Sequence, residues 1–220
     1  PSLLIEMSRG CWWGAKSHCT FCGLNGSGMK YRSKAGSRAL AELDRLTAQW
    51  NISFVSVVDN ILDMTYFDNL LPELANRHKK PQLFFEVKAN LKRHHIRTLA
   101  ASGVKSVQPG IESLSDHVVK LMRKGTTGLR NVQMLKWCRE FGIKPEWNVL
   151  HGFPGETAQD YAAFLAIMEA ITHLDPPSGC GPVRLDRFSP YFETPGSFGL
   201  RNLRPIAPFG FRVLEEMHHY

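Results

Sequence analysis

Short runs of apolar, β-branched residues alternate along the chain with longer stretches in which apolar residues recur every three or four positions. The short runs are typical of buried strands, and the longer stretches are typical of amphipathic helices. Their repeated alternation predicts βα units and a parallel sheet. The six predicted strands are Leu3–Met7, Ser53–Val58, Leu83–Val87, Val104–Gln108, Lys144–Leu150 and Val183–Phe188.

Helices are predicted between these strands. In the first, Leu40, Leu43 and Leu46 fall on or near one face, as expected of a helix packed against a sheet. Gly103 and Gly142 follow helical stretches and are well placed to terminate them. The predicted helices span Ser37–Trp50, Tyr66–Arg77, His94–Ser102, Ser115–Arg123, Leu129–Phe141 and Thr157–Thr172.

Polar and reactive residues follow the predicted strands, at the ends where parallel α/β folds place their functional sites. Glu86, Lys88 and Asn90 alternate toward one face of the third strand, which predicts either a polar barrel lining or a solvated edge. The residues that follow the first five strands are, in order, Cys11; Asp59 and Asn60; Lys88 and Asn90; Pro109 to Ser113; and His151 to Glu156.

The composition is that of an ordinary globular domain. The 220 residues are 43% hydrophobic and 21% charged. The longest apolar runs, such as Phe54–Val58 and Tyr161–Ile167, are far shorter than the ~18 residues of a membrane span. No signal peptide is visible, so a cytoplasmic location without membrane contact is expected. The net charge of +7 is compatible with an anionic partner, but the basic residues are dispersed, so nucleic acid is not predicted.

Three of the five cysteines lie within twelve residues of one another. Cys11, Cys19 and Cys22 are separated by seven and then two residues, whereas Cys138 and Cys180 stand alone. An odd total with one tight cluster indicates a reducing compartment and a metal site rather than a disulfide framework. Thiolates at this spacing on one loop can converge on a metal.

Two kinds of metal site are compatible with this loop. A structural zinc site would use His18 as its fourth ligand, although no second CxxC or HxxxH pair supplies ligands from another element. The alternative is an iron–sulfur cluster held by three thiolates, with one iron open to bind the amino and carboxylate groups of a substrate. Trp12, Trp13 and Phe21 would then exclude water around the cluster.

The cysteine loop resembles that of the radical S-adenosylmethionine superfamily, in which three cysteines are separated by three and then two residues. Cys19-Thr20-Phe21-Cys22 matches the second half, including the aromatic residue before the last cysteine, while the first interval is longer by four residues. The longer interval resembles radical enzymes that mature ribosomally made peptides, including cobalamin-dependent C-methyltransferases. The segments that carry this likeness are Arg9–Gly14, Cys19–Gly26 and Tyr31–Lys34.

Three further segments resemble places where the superfamily binds S-adenosylmethionine. Residues 108–113 resemble a fourth-strand segment whose polar groups meet the ribose and methionyl parts, and residues 148–157 resemble the glycine motif beside the adenine. Asp59-Asn60 occupies a position that often faces the methionine amino group. Taken alone, the segments 110–113 and 152–156 are also ordinary turns that enter capped helices. The cofactor-binding residues implied by the resemblance are Phe21, Asp59, Asn60, Gln108, Glu112, Ser113, Asn148 and Gly152.

The resemblance runs over nearly the whole chain and implies a partial (β/α)6 TIM-like barrel. Residues 1–195 are expected to form the radical S-adenosylmethionine core, and residues 196–220 an irregular C-terminal extension that starts a following segment. The first strand begins at once, so an upstream cobalamin-binding domain is expected to be absent from this chain.

The resemblance also implies an activity. Cys11, Cys19 and Cys22 would hold a catalytic [4Fe-4S] cluster that takes an electron from an external one-electron reductant and passes it to S-adenosylmethionine. The resulting 5'-deoxyadenosyl radical would abstract hydrogen from a precursor peptide, which would receive a methyl group from cobalamin. Epimerisation or crosslinking of a peptide is the alternative without cobalamin, and a non-enzymatic zinc or iron–sulfur module is the remaining one.

Overall fold

Strands and helices alternate along residues 2–24, 26 and 28–204, which the computed structural model describes. The strands are β1 (Leu3–Ile5), β2 (Ser8–Arg9), β3 (Arg32–Ser33), β4 (Phe54–Val57), β5 (Gln82–Glu86), β6 (Val104–Gln108), β7 (Lys144–Pro145), β8 (Asn148–His151) and β9 (Gly179–Pro182). The α-helices are α1 (Gly36–Trp50), α2 (Leu70–Ala75), α3 (Arg93–Ala101), α4 (Asp116–Leu121), α5 (Gly128–Phe141), α6 (Ala158–Ala170) and α7 (Pro190–Glu193), and 3₁₀ turns span Met64–Phe67 and Pro195–Phe198.

A parallel sheet of five strands, in the order β1-β4-β5-β6-β7, forms the centre of the fold. Each of its neighbouring pairs is parallel, and the strands are joined by helical crossovers. The prediction of an α/β fold with a parallel sheet, built as part of a TIM-like barrel, is therefore confirmed. Because all five strands run the same way, their carboxyl ends meet at one edge of the sheet.

The predicted fifth strand is divided in two by a buried tryptophan. Trp147 is 1% exposed and donates from Nε1 to Asp175 O at 3.0 Å, and it lies in the short segment between β7 and β8. β7 pairs with β6, whereas β8 pairs with β9 in a separate parallel ribbon. Asn148 N and Leu150 N also donate to Ile111 O and Glu112 O, so β8 remains attached to the chain beyond β6.

The predicted sixth strand over Val183–Phe188 is wrong in position. The strand that pairs with β8 is β9, whose sequence Gly-Cys-Gly-Pro carries none of the apolar alternation that indicates a strand. β9 is extended because its backbone forms hydrogen bonds with β8. The hydrogen bond from Val183 N to His151 O continues this pairing just past the end of β9. The apolar side chains that follow pack instead in a small cluster with Phe153 and Tyr191.

The predicted helix over Tyr66–Arg77 is also shorter than expected. A 3₁₀ turn over Met64–Phe67 is followed by Asn69, whose side chain accepts from Leu70 N and starts α2 afresh. Pro72 fits the first turn of this short helix but has no N–H for a longer one. The predicted extension 196–220 lies mostly outside the described residues, which end at residue 204.

The hydrophobic core lies between the central sheet and helices α1, α2, α3 and α5. It includes Cys138, which is fully buried on α5 and explains one of the two lone cysteines as a core residue. Close packing of this core fixes the strands whose ends carry the site. None of the helices in the described part of the chain is long and apolar enough to cross a membrane. The fully buried strand residues are Val55, Val57, Leu83, Phe85 and Val107.

Asp160 joins the first turns of α4 and α6. Its carboxylate accepts from Ser115 Oγ at 2.7 Å and from Thr157 N at 3.0 Å, and His117 Nδ1 lies 2.9 Å away. The hydrogen bond from His117, followed by that from Ser115, holds the pKa of this carboxyl well below its usual range. Asp160 thus holds the start of α4 against the start of α6.

This brace predicts a loss of stability in acid. Because the pKa of Asp160 is depressed in the folded state, its stabilising effect is present above the unfolded pKa of about 3.9 and is lost as the pH falls below it. We expect Asp160→Asn to lower the melting temperature by a few degrees at pH 7 and to flatten the pH dependence between roughly pH 5 and 2. Thermal unfolding followed by circular dichroism at each pH tests this, and parallel pH profiles for the two proteins would contradict it.

Candidate active site

The loop that carries the three clustered cysteines begins directly after β2. Gly10, with φ +85°, turns the chain where a Cβ atom would lie 2.4 Å from Lys30 O, so a side chain is excluded there. Cys11 then opens a tight turn in which its carbonyl accepts from Ala15 N. Cys11, Cys19 and Cys22 are all free thiols and all partly exposed.

Hydrogen bonds to distant segments hold this loop in place. Thr20 donates from Oγ1 to Leu121 O at 3.1 Å, and Trp13 Nε1 donates to Arg123 O at 3.2 Å. On the other side, Trp12 Nε1 donates to Leu62 O at 3.0 Å. The loop is therefore fixed between the end of α4 and the segment that follows β4.

One cavity brings the three thiols together with the carboxyl ends of β4, β5 and β6. Cys11, Cys19 and Cys22 line one side. The strand ends and the turn after α4 supply polar and charged side chains on the others. Sequence reasoning predicted this meeting of strand ends, and it favoured a polar lining for Glu86, Lys88 and Asn90. Glu86 and Lys88 do line the cavity, whereas Asn90 is exposed and does not. The polar residues that line the cavity opposite the thiols are Asn60, Glu86, Lys88, Gln108, Glu112, Lys124 and Thr126.

An ion pair lies within this cavity. Lys124 Nζ is 2.6 Å from Glu112 Oε2, with both side chains about 15% exposed. Burial acts to lower the pKa of Lys124, but the negative charges of Glu112, Cys19 and Cys22 and the hydrogen bond with Glu112 together outweigh it, so the pKa is raised. Lys124 thus stays protonated beside the thiols.

Lys88 is the second buried ammonium group of the cavity. It is 8% exposed, donates to Lys124 O, and lies with Nζ 3.9 Å from the centroid of the Trp13 ring. Burial, followed by repulsion from Lys124, lowers the pKa of Lys88 to about 8. Glu86, on the same strand, has a pKa raised by burial. Charged groups of both signs therefore face a space from which water is partly excluded.

The donor set suits a cluster bound through three thiolates. Burial raises the pKa of Cys19 to about 11 and raises that of Cys22, so ligation must displace their protons. His18 does not face the thiols as a fourth ligand, because its Nε2 donates to Cys22 O at 2.7 Å. Among the described residues, no three His, Cys, Asp or Glu side chains are grouped closely enough to hold a single ion. A four-iron cluster spans more space than an ion and keeps its ligands farther apart.

Four of the residues implied by the resemblance lie away from this cavity. Asp59 is 1% exposed and accepts from Met7 N at 2.7 Å, so it joins the segments that follow β1 and β4. Ser113 Oγ accepts from Ser115 N in the turn before α4, and Ser115 caps that helix by accepting from Val118 N. Asn148 lies exposed on β8, and Gly152, with φ +87°, forms a turn whose N–H donates to Glu156. The four that reach the cavity, besides the cysteines, are Phe21, Asn60, Gln108 and Glu112.

Sequence reasoning missed Lys124 and the fixed position of Trp13. Lys124 sits on an irregular turn after α4, where a lysine normally faces solvent, so only the fold shows that it is buried. The available signal was Gly125, which has φ +62° and where a Cβ atom would lie 2.1 Å from the Trp13 ring. Where a large side chain packs directly against the backbone, the sequence often carries a glycine, because no side chain fits there.

Gly125 also provides a test of the packing of the cysteine loop. Gly125→Ala is expected to cost the ~1–2 kcal/mol of a left-handed alanine and, in addition, to displace Trp13 and reduce iron uptake on anaerobic reconstitution. Gly142→Ala is the matched control, since Gly142 has φ +67° and open space around its Cβ position. Thermal unfolding and iron content are measured for both. Equal iron content in the two variants would contradict the prediction.

Comparison with known proteins identifies the family. A family model described as the Radical SAM superfamily matches residues 5–167. The chain belongs to the radical S-adenosylmethionine superfamily. The matched range includes the cysteine loop, the central sheet from the last residue of β1 onward and the polar strand ends that line the cavity. The resemblance noted in the cysteine loop is thus confirmed at the level of the superfamily.

Three known proteins resemble this chain over most of its length. An uncharacterized methyltransferase of Pyrococcus horikoshii is 24% identical over 177 residues, which cover 78% of this chain and 37% of that protein. The methyltransferase TsrM from Kitasatospora setae, solved with cobalamin and a [4Fe-4S] cluster, gives a TM-score of 0.72 at 22% identity, covering 86% of this chain and 38% of TsrM. The cobalamin-dependent radical enzyme OxsB, solved with aqua-cobalamin, gives 0.63 at 19% identity, with coverages of 89% and 30%.

At these identities, the structural likeness establishes the fold. The chain spans less than half the length of each of these three proteins. What this superfamily member acts on is therefore a matter for proposal.

Proposed function

We propose that this chain binds a [4Fe-4S] cluster through Cys11, Cys19 and Cys22 and cleaves S-adenosylmethionine reductively beside it. The observation that carries this proposal is the single cavity in which three free thiols face polar side chains from the ends of three parallel strands. When bound, the cluster supplies the electron for reduction of the sulfonium, and an external one-electron reductant replenishes it. Family membership supports both cofactors.

The residues around the thiols would bind and orient S-adenosylmethionine. We assign Asn60, Gln108 and Glu112 to its polar groups because they line the cavity opposite the cysteines. Phe21 stacks edge-on against Phe153 at 5.5 Å between ring centroids and would keep water from the cleaved bond. Holding the sulfonium in one orientation in a dry cavity converts the cleavage into a well-aligned, effectively intramolecular step.

The roles of the residues outside the cavity are assigned differently. Asp59 and Ser113 would act by holding the strand ends in place, since both are engaged in hydrogen bonds to the backbone. Asn148 and Gly152 do not line the cavity, so we assign them to the adenine end of the cofactor, farthest from the thiols.

We further propose that the reaction is C-methylation of a ribosomal precursor peptide with the help of cobalamin. The spacing of the cysteine loop supports the peptide substrate, and the fold shared with the cobalamin enzymes TsrM and OxsB supports the methyl carrier. Epimerisation or crosslinking of a peptide is the second candidate, since it uses the same cleavage and the same cavity without cobalamin.

The test uses the full-length protein, reconstituted anaerobically with iron and sulfide and supplied with cobalamin and a chemical reductant. S-adenosylmethionine carrying a CD3 methyl group is added with a library of precursor peptides. Formation of 5'-deoxyadenosine together with CD3 transfer to peptide carbon supports the whole proposal. Formation of 5'-deoxyadenosine with a CD3-free peptide product supports the second candidate. A cluster-loaded protein that forms no 5'-deoxyadenosine overturns the proposed function.

A further inference from the structure

The two ammonium groups of the cavity are not equivalent. Lys124 is matched by Glu112 at 2.6 Å, so that pair contributes little net charge. Lys88 forms no ion pair with any residue in the described part of the chain, and its recorded partners are the Lys124 carbonyl and the face of Trp13. A carbonyl and an aromatic ring hold an ammonium group in place without neutralising it. Lys88 is therefore a buried cation without an ion-pair partner among the described residues, although the carboxyl group of Glu86 lines the same cavity.

This charge acts on the thiols. Lys88 and the three cysteines line the same cavity. Charges that share a partly dry cavity interact more strongly than charges in water. The ammonium group of Lys88 therefore lowers the energy of negative charge that builds up at the thiols.

Trp13 strengthens the coupling by excluding water. Its ring covers Lys88, and its Nε1 bond to Arg123 O and its contact with Gly125 fix the ring in that position. Lys88 is left 8% exposed, so solvent screens its charge weakly. A charge on the surface at the same distance would have a much smaller effect.

We propose that the positive charge of Lys88 favours the one-electron reduced state of the cluster held by Cys11, Cys19 and Cys22. Reduction adds one negative charge to the cluster, and net charge near an iron–sulfur cluster is one of the factors that set its reduction potential. A buried cation without an ion-pair partner stabilises the reduced state of the cluster, which is the more negative one. This inference rests on the proposed function, because it requires the cluster.

The experiment measures the midpoint potential of the reconstituted full-length protein by redox titration followed by electron paramagnetic resonance. Lys88→Gln removes the charge while keeping a polar side chain of similar length, and it is expected to lower the equilibrium constant for reduction by at least tenfold, which is about 59 mV for one electron. Lys88→Arg keeps the charge and is expected to keep the potential near that of the wild type.

Two further variants make the test specific. Lys80→Gln is the matched control, because Lys80 is a half-buried lysine bonded to Ala75 O and Ala101 O at the opposite end of the sheet, and it should leave the potential unchanged. Glu112→Gln removes a negative charge from the cavity and should shift the potential upward. This second variant tests the same charge balance even if Lys88→Gln fails to fold.

The outcomes separate the two proposals. Shifts of opposite sign for Lys88→Gln and Glu112→Gln, with rescue by Lys88→Arg, support the inference. If the cluster-loaded Lys88→Gln protein has the same midpoint potential as the wild type, the inference is overturned and the proposed function stays intact. If Lys88→Gln does not fold, an unchanged midpoint potential in Glu112→Gln has the same meaning. A wild-type protein that takes up no cluster overturns the proposed function and this inference with it.

Discussion

Cys19→Ser is expected to abolish both iron binding and the formation of 5'-deoxyadenosine in the reconstituted protein. A serine hydroxyl remains protonated at neutral pH and is a hard ligand, whereas iron–sulfur clusters require thiolates. Cys19 is the middle ligand of the three and lies next to Thr20, which anchors the loop to the end of α4. The remaining Cys11 and Cys22 supply two ligands, so we expect complete loss rather than a reduced rate. Iron content and product are measured together under anaerobic conditions.

The matched control is Cys180→Ser. Cys180 is a free and exposed cysteine on β9, away from the cavity. It tests whether loss of any thiol lowers iron uptake through oxidation or aggregation. We expect iron content and product to match the wild type in this variant. Equal losses in Cys180→Ser and Cys19→Ser, or retention of activity in Cys19→Ser, would contradict the assignment of the ligands.

Glu112→Ala is expected to destabilise the fold by about 3–5 kcal/mol, the usual cost of leaving one charge of a buried ion pair without its partner. Lys124 would keep its position beside the cysteine loop but lose the carboxylate that raises its pKa. The free energy of unfolding is measured by urea denaturation of the protein without cluster, so that ligand binding does not contribute. A substantial decrease in the free energy of unfolding would show that the charged residues of the cavity also stabilise the fold.

Glu140→Ala provides the comparison. Glu140 forms an ion pair with Arg93 on the surface, where the two side chains are 34% and 58% exposed. Exposed pairs of this kind contribute little to stability because solvent screens them, so the variant should be nearly neutral. Similar losses for Glu112→Ala and Glu140→Ala would mean that the charges in the cavity are well solvated. That result would also weaken the case for Lys88 as a redox-tuning residue.

The central sheet could be predicted because β4 and β5 carry short apolar runs in which every second side chain is fully buried in the core. The runs containing Val55, Leu83 and Val107 each correspond to a strand of the sheet. β9 could not be predicted in the same way, because its Gly-Cys-Gly-Pro sequence is extended only through pairing with β8. The break between β7 and β8 at Trp147 could not be predicted from the sequence either, since tryptophan is itself common in strands.

The cavity shows a similar division between local and tertiary information. The thiol spacing is local, and the position of Asn60 and Gln108 after parallel strands follows from topology, so both could be predicted. Asp59 and Ser113 have side chains suited to a cofactor, but their hydrogen bonds go to the backbone. Whether a polar side chain turns toward a cavity or toward a neighbouring turn depends on tertiary packing, which sequence alone does not show.

The anchors of the cysteine loop imply a late step in the folding of the nascent chain. Thr20 and Trp13 bond to carbonyls 101 and 110 residues further along the chain. A ribosome adding roughly 5–20 residues per second releases the thiols several seconds before these partners. During that interval the loop has no fixed position, and the thiols remain open to oxidation or to stray metals. Iron delivery and chaperone protection are therefore expected to coincide with the synthesis of α4 rather than with that of the cysteines.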